Sequence, residues 1–342
     1  MAGAEGPPTV EVVRFLSDPS SYPEHTASVT VIETHMAYVF LTDEFAYKLK
    51  KSVRFDFLDF STEALRRHVC EEEVRLNRRL APDVYLGTVP LVRDAEGALH
   101  VDVRPDSAPI DWLVKMRRLP GDKMLDQVIR ARTPRRHELA ALAAVLVRFY
   151  RGTPREPISP QAYVDRLDSA IATDVRDLGA WHNDLPISRI RSVGAALRGH
   201  LFREGHNFRR RGDHIVEAHG DLRPEHICLT DPPVIIDCLE FRRDFRMLDP
   251  LDELAFLGME CERLGDDTTG PTLLRFYEEG TDDHAERMLT EFYAAMRALL
   301  RAKLAIWHLR DPASSDSARW RSSAYAYLEL AFRHSKGAIS RS

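Results

Sequence analysis

The chain has 342 residues, of which 44% are hydrophobic and 30% are charged, and its formal net charge is −5. This length and hydrophobicity predict two domains with a sizeable core, and the acidic balance argues against nucleic acid as a partner. No apolar run approaches the ~18 residues of a membrane span, so no membrane partner is expected. The N-terminus has no basic or apolar targeting segment, and the four cysteines lack CxxC spacing, which indicates reduced thiols in a cytoplasmic protein.

The first third of the chain favours strands. Residues 1–27 are expected to form a tail with one short helix, Val10 to Leu16. Strands are predicted at 28–33, 36–41 and 46–50, the last two joined by a turn of hairpin length. A helix capped by Thr62 follows and runs to about Leu80, because its apolar residues recur every three to four positions. Further strands are predicted at 86–92, 98–103 and 111–117.

The rest of the chain favours helices. Thr133 and Pro134 are expected to begin one that includes 138–150, with Pro134 as its first residue. Residues 162–211 are mostly helical with a break near 184–186, and further helices are predicted at 251–263, 284–309 and 317–335. The element order predicts an α+β fold with two lobes, a small β-rich lobe at 28–120 and a larger helical lobe at 121–342.

The strongest functional signal is the stretch HGDLRPEHICLTDPPVIIDCLE, which begins at His219. Two short apolar runs flank an Asp-Pro-Pro turn, and the second run ends on Asp237. The pattern predicts a hairpin that brings Asp221 and Asp237 to one edge of a sheet. Phosphoryl transfer needs two such carboxylates, one to orient and deprotonate the attacking hydroxyl and one to hold Mg²⁺.

This stretch resembles the aminoglycoside phosphotransferase family of choline-kinase-like small-molecule kinases, whose members carry HGDxxxxN, an apolar strand and then ID. The resemblance implies a protein-kinase-like fold, with Asp221 as the base, His219 as a support of its loop and Asp237 as the Mg²⁺ ligand. Arg223 would balance charge on the transferring phosphoryl group. His226 stands where the family has Asn, and as a second metal ligand it would favour Mn²⁺ over Mg²⁺, because magnesium prefers oxygen.

By the same resemblance the smaller lobe binds ATP, with GTP as the alternative. Lys48 would pair with the phosphates. Lys50 shares the strand face of Lys48 and stays an alternative. Glu72 and Glu73 lie on or beside an apolar helix face, where a glutamate is costly unless paired. The family spacing favours Glu73 as the residue that would hold the lysine. Met116 and Arg117 would lie where the adenine meets the chain.

The segments ETHxxYVFL, YKLKK, CEEExRLNRRLAP, KMRRLP and DELAFLxMECERLG are similar to a bacterial subgroup of this family. Its members are often fused to a C-terminal P-loop kinase domain. No GxxxxGKS or GxxxxGKT occurs here, so the stand-alone form is expected.

The expected acceptor is a hydroxyl of a small molecule, namely an aminoglycoside, a sugar or an amino alcohol, and the expected assembly is a monomer or homodimer. Ten acidic residues and four arginines lie between Asp237 and Asp267. They predict either a solvated helix face or an acidic wall that attracts a cationic substrate.

Two alternative functions stay open. In the first, His219, Asp221, His226 and Asp237 are ligands of a metal-dependent hydrolase. In the second, the chain is a pseudokinase that binds nucleotide without transferring phosphate.

Overall fold

The computed structural model describes residues 10–55, 58–101, 109–181, 183–284, 286–310 and 316–338. The strands are β1 (Thr30–Glu33), β2 (Ala37–Leu41), β3 (Phe45–Lys50), β4 (Arg54–Phe55), β5 (Leu58–Asp59), β6 (Tyr85–Arg93), β7 (Leu99–Val101), β8 (Pro109–Arg117), β9 (Val216–Glu217), β10 (Ile227–Cys228), β11 (Val234–Ile235) and β12 (Met247–Leu248). The helices are α1 (Val10–Leu16), α2 (Glu63–Asn77), α3 (Leu125–Ala131), α4 (Arg136–Gly152), α5 (Pro160–Gly179), α6 (Ile187–Arg203), α7 (Gly205–Arg211), α8 (Pro250–Arg263), α9 (Thr269–Thr281), α10 (Arg287–Trp307) and α11 (Ser317–Gly337). The predicted tail before Val10 and the last two residues of the predicted strand at 98–103 lie outside the described residues.

The described residues divide into two units by their contacts. The first unit comprises the described residues up to Gly121 together with Val234–Asp244, and the second comprises the remainder. The segment Val234–Asp244, which the sequence places in the larger lobe, thus belongs to the smaller unit. The physical reason is burial, because Val234 and Ile236 pack against the core that α2 forms with the sheet.

The first unit is built on a six-stranded antiparallel sheet with the order β1-β2-β3-β8-β6-β7. Alternation along β3 directs its side chains to two cores. Tyr47 and Leu49 pack in the core that includes α1, whereas Ala46 packs in the core that includes α2. Lys48 and Lys50 share the face of Ala46, so the fold directs both lysines towards α2.

The second unit is helical, and its helix α10 is buried on most of its surface. This helix packs against α5, α8 and α11, and its buried residues place it in the centre of the second unit. The predicted α+β fold, with a small β-rich part and a larger helical part, is therefore confirmed.

One local prediction in the second unit is wrong, and two helices were missed. Helix α4 begins at Arg136 and not at Pro134, because Glu138 accepts the Arg135 backbone N–H at 2.7 Å and closes the first turn there. Helices α3 and α9 were not predicted from the sequence. All four cysteines are free thiols and buried. Within the described ranges, no helix is both long and apolar enough to cross a membrane.

Candidate functional site

The two lysines of β3 join one run of ion pairs within the first unit. Lys48 Nζ lies 2.9 Å from Glu73 Oε1 and 2.5 Å from Asp237 Oδ1. Lys50 contacts the other carboxylate oxygen of Glu73, and it also contacts Glu240. Both lysines therefore bind the same glutamate, and they differ in the second carboxylate that each one holds.

Burial and charge act in opposite directions on these groups. Burial would lower the pKa of Lys48, but the carboxylates of Asp237 and Glu73 raise that pKa well above its ordinary value. Burial would also lower the pKa of Lys50, and there Glu240 and Glu73 raise it. Burial would raise the pKa of Glu73, but the two lysines lower it. Glu73 therefore remains a buried carboxylate that can hold an ammonium group.

The backbone at Asp237 adopts a left-handed conformation, with φ of 61°. Its N–H donates to the Tyr85 hydroxyl at 3.0 Å, and the next N–H, of Cys238, donates to Asn77 Oδ1 at 2.8 Å. Asn77 itself donates to the carbonyl of Glu73 at 2.9 Å. The end of α2 thus holds the segment around Asp237. Uncommon backbone conformations of this kind cluster at functional sites, and the Asp237 side chain is 40% exposed.

Met116 and Arg117 lie at the end of β8, opposite Ala46 and Phe45 of β3. The Met116 side chain is buried in the core that contains α2. The Arg117 backbone N–H donates to the carbonyl of Val84 at 2.9 Å. The contact of these two residues with an adenine stays a prediction.

In the second unit, the loop that carries Asp221 is held by Glu253 of α8. The Glu253 carboxylate accepts the backbone N–H groups of His219, at 3.1 Å, and of Gly220. It also accepts the Tyr150 hydroxyl at 2.9 Å. Burial raises the pKa of Glu253, and the three donors oppose that rise. Glu253 thus satisfies two buried backbone donors directly before Asp221.

The loop itself has two local constraints. Gly220 has φ of 89°, a conformation that favours glycine because it has no Cβ. His219 Nδ1 accepts the backbone N–H of Asp221 at 3.3 Å. His219 therefore takes part in shaping the loop.

Arg223 and His226 lie beside the Asp221 carboxylate. Arg223 Nε donates to Asp221 Oδ2 at 3.1 Å, and its Nη1 donates to Glu225 Oε1 at 2.6 Å. His226 Nδ1 lies 2.9 Å from the Asp221 carbonyl oxygen, and His226 Nε2 lies 3.0 Å from Arg223 Nη2. The turn at Pro224–His226 brings these groups together.

The Glu253→Gln variant tests the attachment of this loop. A glutamine offers one acceptor oxygen and one NH₂ donor where the carboxylate offers two acceptors, so one buried backbone N–H faces another donor. We expect the free energy of unfolding to fall by about 1–3 kcal/mol, the usual cost of an unsatisfied buried group. Urea denaturation measures the loss, with the exposed Glu279→Gln as a control. If both variants unfold at the wild-type urea concentration, the loop does not depend on Glu253.

The acidic run between Asp237 and Asp267 is partly buried in the structure. Five of its ten acidic members are buried, namely Asp249, Asp252, Glu253, Glu260 and Asp266. Three of these pair with arginines of the second unit, Asp249 with Arg211, Asp252 with Arg297 and Glu260 with Arg301. These three carboxylates are therefore internal charges that connect helices and do not belong to a solvated face. A cationic substrate stays a prediction.

The hydrolase alternative requires a group of metal ligands. In the part of the chain that the structure describes, no three His, Cys, Asp or Glu side chains are grouped so that they could hold a metal ion. The geometry thus gives no support to that alternative.

The residues that sequence reasoning missed are mainly those that hold others in place, namely Asn77, Tyr85, Glu240 and Glu253. Glu253 could have been found by the argument that selected Glu73. It lies on the apolar face of its helix, four residues before Leu257, where a glutamate needs partners. No pattern in a single sequence indicates that Asn77 and Tyr85 hold the segment around Asp237.

Comparisons with known proteins place this site in context. No protein-family model matches the chain. An uncharacterized protein of Mycobacterium tuberculosis is 33% identical over 292 residues, which cover 81% of this chain and 54% of that protein. The chain therefore spans about half the length of the curated relatives that it matches.

Among solved structures, a choline/ethanolamine kinase family protein from Mesorhizobium loti has a TM-score of 0.55 and 18% identity, and the match covers 96% of this chain and 98% of that one. The GDP complex of aminoglycoside 2'-phosphotransferase-IIIa has a TM-score of 0.51 and 16% identity, and the match covers 96% and 99% of the two chains. The chain thus has the fold of small-molecule kinases. These neighbours come from the family that the sequence resembles.

Proposed function

We propose that this chain is a phosphotransferase of the aminoglycoside phosphotransferase and choline-kinase-like family. It transfers the γ-phosphoryl group of ATP to a hydroxyl of a small molecule. The observation that carries the proposal is the contact of Lys48 with both Glu73 and Asp237. An ammonium held by a buried glutamate would suit the phosphates of a nucleotide, and the partly exposed aspartate beside it would suit a metal ion that accompanies them.

In this proposal the first unit provides the nucleotide and metal contacts. Asp237 fits magnesium, because its carboxylate oxygens are ligands that Mg²⁺ prefers. The ion, when bound, supplies positive charge that neutralises the phosphates. Lys48 contacts the phosphates, and Glu73 keeps the Lys48 ammonium in place. Lys50 pairs with the same Glu73 carboxylate and balances its charge.

The second unit provides the acceptor chemistry. Asp221 orients the substrate hydroxyl and takes its proton while the oxygen attacks the γ-phosphorus. Arg223 donates a hydrogen bond to Asp221 and supplies a fixed positive charge beside that carboxylate. Glu253 and His219 keep the loop in position through its backbone.

The acceptor and the nucleotide are proposed only as chemical classes. Aminoglycosides, sugars and amino alcohols are the acceptor classes to test, because one fold supports many substrates. GTP is kept beside ATP, since one structural neighbour was solved as its GDP complex.

A screen of these acceptors tests the function. Purified protein is incubated with ATP or GTP, Mg²⁺ and each acceptor, while nucleoside diphosphate release is measured and products are analysed by mass spectrometry. We expect acceptor-dependent release and a product heavier by one phosphoryl group, both absent with Asp221→Asn. Nucleotide binding without any transfer or hydrolysis would support a pseudokinase, and an absence of nucleotide binding would contradict both interpretations.

A further inference from the structure

The tautomer of His226 follows from its two hydrogen bonds. A guanidinium has only donors, so His226 Nε2, 3.0 Å from Arg223 Nη2, must be the acceptor and carries no proton. The ring proton of a neutral imidazole is then on Nδ1. That nitrogen lies 2.9 Å from the Asp221 carbonyl oxygen, which can only accept. The two contacts independently require the same tautomer.

This arrangement does not fit a second metal ion at His226. Nδ1 is protonated, and the lone pair of Nε2 already receives a donor from a cation. A metal ion at Nε2 would take the place of the Arg223 guanidinium. Mg²⁺ also prefers oxygen to imidazole nitrogen, so the exchange has little to favour it.

The guanidinium is held from three sides by its own loop. Arg223 Nε donates to Asp221 Oδ2, Nη1 donates to Glu225 Oε1, and Nη2 donates to His226 Nε2. Burial disfavours the charged form of Glu225, but Arg223 lowers the pKa of this carboxyl below its ordinary value. Glu225 is therefore ionised. A planar fork of donors suits three fixed acceptors, whereas a single ammonium does not.

We infer that His226 is a positioning residue for Arg223, and that the guanidinium supplies the positive charge that a second metal ion would otherwise bring to this loop. The inference rests on the proposed function and refines it. The chain would use one divalent ion, at Asp237, for each bound nucleotide. His226, which stands where the family has asparagine, then acts together with Arg223.

Counting bound ions tests the inference. Mn²⁺ is titrated into the 342-residue chain saturated with AMP-PNP, a non-hydrolysable ATP analogue, and free Mn²⁺ is measured by electron paramagnetic resonance. We expect one ion per chain in the wild type and two in His226→Asn, which provides an oxygen ligand. The exposed His137→Asn on α4 is the matched control and should bind one.

The other outcomes are equally decisive. Two ions in the wild type would overturn the inference, and so would one ion in both the wild type and His226→Asn. A chain that binds neither AMP-PNP nor Mn²⁺ would instead contradict the proposed function, so the two failures can be told apart.

A second measurement addresses Arg223. We expect Arg223→Met to lower kcat about 100-fold, as the loss of one fixed charge-stabilising donor does in other enzymes, while AMP-PNP affinity stays at the wild-type value. Arg223→Lys should restore little, because one ammonium cannot satisfy all three acceptors. Wild-type kcat in Arg223→Met would overturn the inference.

Discussion

Replacing Asp221 by asparagine is expected to lower kcat about 1000-fold, within the range that a general base contributes. Asparagine keeps the shape of the side chain, and its amide oxygen can still accept the donor of Arg223. It cannot take a proton from the acceptor hydroxyl. Because the nucleotide contacts belong to other residues, the affinity for ATP should change little. Steady-state kinetics with the acceptor found by the screen, together with calorimetry for ATP, measures both quantities.

The matched control for this variant is Asp168→Asn. Asp168 pairs with Arg198 on the surface of the second unit, so its loss should leave kcat unchanged. An effect confined to kcat in Asp221→Asn identifies a loss of transition-state stabilisation. If Asp221→Asn retains wild-type kcat, Asp221 is not the base, and the assignment of the HGD motif is wrong.

Replacing Lys48 by methionine is expected to weaken ATP binding and to remove measurable turnover. The variant loses the ammonium that Glu73 and Asp237 share, while methionine still fills the space along β3. Loss of one partner of a buried charge pair at a binding site costs about 2–5 kcal/mol. Calorimetry with ATP and Mg²⁺ measures the change in affinity, and circular dichroism reports whether the fold is kept.

The parallel variant Lys50→Met separates the two lysines. Lys50 connects Glu73 to Glu240 and has no part in holding Asp237, so its loss should reduce stability more than ATP affinity. Lys115→Met is the control, because Lys115 lies on the neighbouring strand β8 and pairs with Glu24. Should Lys48→Met and Lys50→Met both keep wild-type affinity for ATP, the assignment of β3 to nucleotide binding is wrong.

Local patterns in the sequence were sufficient to predict much of the fold. The strand β3, the cap of α2 at Thr62 and the helix α1 all follow from periodicity and turn chemistry, which act between neighbouring residues. The same patterns place Lys48 and Lys50 on one face, and the HGD motif singles out Asp221. These features depend only on spacing along the chain, so a single sequence displays them.

Only the tertiary structure decided how these residues are partnered. Lys48 and Asp237 are 189 positions apart. No local pattern indicates that the Lys48 ammonium contacts both Glu73 and Asp237. The acidic run that includes Asp249 appears in the sequence as an excess of charge, yet packing places these side chains against arginines of distant helices. The role of Glu253 likewise depends on where α8 lies relative to the loop at His219. A pairing between distant segments is set by packing, and for that reason the sequence displays the spacing of these residues along the chain but not the partners that hold them.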